Sequence, residues 1–107
     1  MQSPIKLADD FLFLELICMA KAYMYILLCS NGRYYTGSAR DLKSRIQKHQ
    51  TGKGANYTRK YRPIKLVYFE VFDRIDHAFI REKQIQRWTH KKKKALIQGN
   101  NKLLKNL

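Results

Sequence analysis

The run from Tyr23 to Cys29, Tyr-Met-Tyr-Ile-Leu-Leu-Cys, is apolar at every position. A strand with one wet face alternates apolar and polar residues, so an unbroken run of this length predicts a strand buried on both faces. Each side of its sheet must then be covered. Ser30-Asn31-Gly32 follows as a tight turn, and Arg33 to Gly37 reads as the returning strand of a β-hairpin. The register depends on the turn. A two-residue loop, Asn31-Gly32, would set Leu28 opposite Tyr35 and put Tyr25 on the other face. A three-residue loop with Gly32 in the left-handed conformation sets Leu27 opposite Tyr35 and makes Tyr25 a diagonal neighbour on the same face, roughly 7 to 8 Å away. Gly at the third position favours the second register.

Asp41 predicts an N-cap for a helix through Gln50, stopped by Gly52, and Gly52 to Pro63 reads as a basic loop. Ile64 to Phe72, rich in β-branched and aromatic residues, predicts a third strand. Helices are expected from Ile75 to Trp88 and from Lys91 to Gln98, the last ended by Gly99. No internal repeat is present. The order ββαβαα predicts an α+β fold, a three-stranded, mainly antiparallel sheet flanked by helices. With 107 residues the chain has room for one core. We divide it into an extension over 1–22, a domain over 23–101 and a short tail over 102–107. The apolar stretch Phe11 to Met19 is interrupted by Glu15, too short for a bilayer span of about 20 residues, and preceded by Asp9 and Asp10 where a secretory signal would be basic. It reads either as a short docking helix or as an upstream extension, with Met19 or Met24 as the true start.

Two charges stand where apolar residues are expected. At about 100° per residue, Leu42, Arg45, Ile46 and His49 share a stripe that should face the sheet, so Arg45 needs an anionic partner, a structural carboxylate or a phosphate. In the later helix, Ile75, Ala78, Phe79 and Ile85 define an apolar arc roughly 120° wide with Glu82 in its middle. A carboxylate there is costly to desolvate unless it is paired or binds a metal. An ion pair with Arg45 and a Mg²⁺ site are the two readings.

The net charge narrows the partners. The chain holds 22 Lys and Arg against 8 Asp and Glu, a formal +14. From Tyr23 onward the charge is +15, so the basic character belongs to the domain. Such a field points first to nucleic acid and second to an anionic membrane, the bland alternative being a generally basic protein. Cys18 and Cys29 lack metal or redox spacing and read as reduced thiols of a cytoplasmic protein; His49, His77 and His90 have no zinc-ligand spacing.

Taken in order, Tyr23-Met24-Tyr25, then Tyr35-Thr36-Gly37 ten residues after Tyr25, Arg45 eight residues past Gly37, His49, and Glu82 in a later helix resemble the GIY-YIG endonuclease family. The segments Gly52 to Lys60 and Pro63 to Tyr68 are similar to those of its small stand-alone members, which resemble the catalytic domain of the bacterial excision-repair endonuclease. The resemblance covers Tyr23 to Asn101. It implies a metal-dependent phosphodiester hydrolase acting on DNA, directed by DNA structure, in repair or processing, with RNA as a further possible target. Tyr35 would act as or help form the general base, with Tyr25 positioning it. Arg45 would hold the scissile phosphate, Glu82 would bind Mg²⁺ or Mn²⁺, and His49 would assist near the phosphate. No small-molecule cofactor and no membrane partner are implied. Because a free tyrosine has a pKa near 10, proton removal by Tyr35 requires a lowered pKa or a relay; Arg45, the metal and the basic field are expected to lower it. Tyr23 and Met24 depart from the family's Gly and Ile, and Ser38 stands where some members carry lysine, which argues against a lysine-assisted base. The family's late asparagine has Asn100 and Asn101 as candidates.

Two basic regions are candidate DNA contacts. One is the loop with Lys53, Arg59, Lys60 and Arg62 interleaved with Tyr57 and Tyr61; the other is Lys91, Lys92, Lys93 and Lys94 with Arg87 behind them. A non-catalytic nucleic-acid-binding protein is the competing class, and docking to an acidic partner is a third.

Overall fold

The computed structural model describes residues 21–99. Nearly all of the extension, the tail, Cys18, Asn100 and Asn101 lie outside the described residues. Three strands, β1 (Ala22–Leu28), β2 (Tyr34–Ala39) and β3 (Lys65–Phe72), form one antiparallel sheet in the order β2-β1-β3. The helices are α1 (Leu42–Gln50), α2 (Asn56–Lys60), α3 (Ile75–Gln86) and α4 (His90–Ile97). The fold is α+β, as expected.

The apolar run becomes the central strand. Its even-numbered residues Ala22, Met24 and Ile26 pack with Tyr68 and Phe72 against Ala78 and Ile85 of α3 and Leu96 of α4. The odd ones, Tyr23, Tyr25 and Leu27, pack with Phe69 and Val71 on the opposite face, where Leu42, Ile46 and Tyr57 come from α1 and α2. Helices thus cover both faces, which is why no position of β1 can be polar.

The hairpin takes the three-residue register, with Leu27 opposite Tyr35 and Gly32 at φ +80°. Asp41 caps α1, its Oδ1 accepting from the Ser44 amide at 3.0 Å. Thr89 does the same for α4, its Oγ1 accepting from the Lys92 amide at 3.2 Å.

The basic loop departs from expectation, because it contains α2. Five residues make little more than one turn, and α2 has no side-chain N-cap. Local propensity does not sustain so short a helix, so its stability must come from packing. Phe79 also departs: it is exposed, because the arc of α3 turns it past the edge of the sheet.

Candidate active site

Four elements converge at the β2 edge of the sheet. A cleft of about 620 Å³ is lined by Tyr25 from β1, Tyr35 and Gly37 from β2, Arg45 from α1 and Glu82 from α3, with Phe79 on its rim. All four residues at the centre of the sequence argument therefore share one cavity. Tyr25 reaches it because its cross-strand partner is Gly37; a Cβ there would collide with the Tyr25 hydroxyl. The glycine lets a side chain of the central strand cross over the edge strand.

Arg45 is exposed, not buried under its helix, since the position lies at the margin of the stripe and its chain extends into the open cleft. No ion pair joins it to Glu82 among the described residues. The buried ion pair of this fold is a different one. Glu70 of β3, 2% exposed, receives Nε and Nη2 of Arg81 at 2.9 and 3.1 Å and the Tyr68 hydroxyl at 2.7 Å. Sequence reasoning missed it, although a glutamate between Phe69 and Val71 was the available signal.

With Arg81 committed elsewhere, Glu82 keeps mainly neutral partners. Only 8% exposed, it accepts from Ser38 Oγ at 2.6 Å through Oε1 and from Gln86 Nε2 at 2.8 Å through Oε2. The exposed Lys83 approaches Oε2 at 3.5 Å, a contact that water screens. A carboxylate has about four lone-pair sites, so each oxygen retains capacity toward the cleft. That donor set fits a hard divalent cation held by one carboxylate, waters and phosphate oxygens. No group of three His, Cys, Asp or Glu gathers among the described residues, so a caged site of the zinc type is not built here.

His49 is 1% exposed and lies behind Tyr25, with Nε2 at 2.9 Å from the tyrosine hydroxyl and Nδ1 at 2.7 Å from Thr58 Oγ1. Burial, and then the neighbouring Arg45, hold its pKa below the usual histidine value, so the ring is neutral at pH 7. Burial also pushes both tyrosines up. Arg45 pulls each of them down, but the desolvation is larger, contrary to the expected lowering. Both hydroxyls are therefore protonated in the free protein, and only Tyr25 has a buried base against it.

The predicted basic residues Lys53, Arg59, Lys60, Arg62, Arg87, Lys91 and Lys94 are exposed, whereas Tyr57, Lys92 and Lys93 are half-buried. Lys92 sits over the Trp88 ring at 4.4 Å. The two regions meet in a second cleft of about 610 Å³ lined by Arg33, Tyr34, Tyr57, His90 and Lys93. His90 stacks on Tyr34 at 4.5 Å, and Tyr57 also faces Tyr35, which links this cleft to the first. Arg33, Tyr34 and Ser38 were not foreseen, because nothing in their local sequence marks them.

The comparisons agree with this geometry. A UPF0213 protein of Staphylococcus saprophyticus is 47% identical over 79 residues, covering 74% of this chain and 96% of the relative. A UPF0213 protein of Staphylococcus aureus is 43% identical over the same shares. A protein of E. faecalis solved by solution NMR is 30% identical, with a TM-score of 0.50 over 72% of this chain and 82% of that one. Residues 21–95 match the family described as the GIY-YIG catalytic domain, a nuclease fold, and the chain belongs to the GIY-YIG family.

Proposed function

We propose that this chain is a Mg²⁺- or Mn²⁺-dependent DNA endonuclease, and that the first cleft is its active site. One observation carries the reading: the cleft joins a tyrosine backed by a buried base, an arginine with no ion-pair partner among the described residues, and a glutamate without an arginine partner. A protein that only binds nucleic acid has no use for a carboxylate facing the phosphate.

Arg45 holds the scissile phosphate with its guanidinium and opposes the negative charge that grows as water attacks. Glu82 would hold the divalent cation, whose charge polarises the phosphate and eases departure of the leaving oxygen. Tyr25 takes the proton of the attacking water on its oxygen while its own proton passes to His49 Nε2. This relay suits a tyrosine whose pKa is raised, because no free tyrosinate has to form. It moves the base role from Tyr35 toward the Tyr25–His49 pair, with Tyr35 lining the cleft and orienting the water.

The DNA backbone outside the scissile phosphate is met by Arg33, Lys93 and the exposed lysines, contacts that read charge and shape instead of base sequence. Structure-directed cleavage in repair or processing of cytoplasmic DNA follows from such contacts. Incubating the protein with nicked, flapped and single-stranded DNA in Mg²⁺, Mn²⁺ or chelator tests the proposal. Cleavage in either metal and none in chelator is expected; intact DNA throughout, with binding retained, would favour a non-catalytic binder.

A further inference from the structure

Thr58 lies at the far end of the chain of hydrogen bonds that begins at Tyr25, and it is fully buried. Its hydroxyl makes two contacts, one to the Ala55 carbonyl at 3.0 Å and one to His49 Nδ1 at 2.7 Å. A carbonyl can only accept, so the Thr58 proton goes to Ala55 and its oxygen faces Nδ1 as an acceptor. His49 Nδ1 must then carry a hydrogen. In a neutral imidazole this leaves Nε2 as a bare lone pair, and Nε2 is the atom 2.9 Å from the Tyr25 hydroxyl. The direction of every hydrogen bond in the series is fixed from its Thr58 end.

The surroundings hold the ring in that orientation. Tyr25 and Tyr35 pack on it with ring centroids 5.7 and 5.3 Å away. The backbone of Gly54 closes over Nδ1 so tightly that a Cβ at this position would collide with it. The segment from Gly52 to Pro63 therefore has two sides. Its charged side chains face solvent, while Gly54 and Thr58 face inward and enclose one edge of His49.

We propose that Thr58 is a positioning residue that fixes the proton of His49 on Nδ1 and so makes Nε2 the acceptor for the Tyr25 proton. The inference rests on the nuclease reading for its catalytic consequence, but the tautomer itself can be measured without any cleavage. A histidine with the opposite tautomer would present N–H to Tyr25, and the relay would be blocked although every side chain remained in place.

The test combines ¹⁵N-histidine NMR at neutral pH with single-turnover cleavage of flapped DNA. In the wild-type protein, two-bond nitrogen–proton correlations should show His49 as one Nδ1–H tautomer, distinct from the exposed His77 and His90. Thr58→Val keeps the shape and removes the acceptor. It should give a mixed or Nε2–H tautomer and a cleavage rate at least tenfold lower, with DNA affinity unchanged. Thr58→Ser should restore both. A wild-type Nε2–H tautomer, an unchanged tautomer in Thr58→Val, or an unchanged rate despite a changed tautomer would each overturn the proposal. The wild-type spectrum decides even if the valine variant fails to fold. If no DNA were cleaved but the tautomer responded as described, the tautomer assignment would stand while the nuclease reading failed.

Discussion

The two buried glutamates should respond to mutation in opposite ways. Glu70 is paired with Arg81, and replacing Arg81 by Met would leave a carboxylate that is 2% exposed with only the Tyr68 hydroxyl. Breaking a buried pair from one side costs about 3 to 5 kcal/mol. For a domain of this size that lowers Tm on the order of 10 to 30 °C. Glu82→Gln has a different balance. The bonds from Ser38 and Gln86 weaken by about 1 kcal/mol each as the acceptor loses its charge, while the several kcal/mol spent desolvating a carboxylate are recovered. The net change is expected within about 1 kcal/mol of zero, or stabilising. Thermal unfolding followed by circular dichroism without divalent metal measures both. A Glu82→Gln variant that loses as much stability as Arg81→Met would show that Glu82 is a structural residue, and its catalytic assignment would fall.

Three further outcomes follow from the geometry. In Gly37→Ala the new methyl takes the place of the Tyr25 hydroxyl, so cleavage should drop about 10²-fold, the size of a typical acid–base contribution, and an unchanged rate would refute the crossing of Tyr25 over β2. The native pKa of His49 is depressed, so the unfolded chain binds a proton that the native state refuses as pH falls below about 6.5. Stability should decline from there and level off below the native pKa, and kcat/KM should show an acid limb in the same range; a flat profile in both would remove His49 from the relay. Removing Arg33 and Lys93 together should weaken DNA binding and reduce the slope of log K against log salt by roughly 1.5, measured by fluorescence anisotropy.

Much of the fold could be read from the chain because its signals are local. The continuous apolar run at Tyr23–Cys29 requires cover on both faces, and Gly32 at the third turn position selects one register. Glu82 stood out for a similar reason, as a charge on an apolar arc. What stayed hidden depends on pairs far apart in sequence. Nothing local distinguishes Glu82 from Glu70 as the carboxylate that Arg81 neutralises, since Arg81 adjoins one in sequence and meets the other in space. The helix Asn56–Lys60 is one turn long, and its Thr58 acquires meaning only against His49, nine residues earlier. The roles of the two tyrosines also needed the structure, because the base behind Tyr25 comes from a helix 24 residues away.

The account stands or falls on whether the cleft at the β2 edge breaks phosphodiester bonds. Single-turnover cleavage of flapped DNA in Mg²⁺, started from the preformed complex and compared between wild type and Glu82→Gln at matched Kd, addresses this directly. We expect equal affinity and a rate constant lower by about 10²-fold or more in the variant, as for loss of a group that acts on the transition state alone. Equal rates would contradict the account.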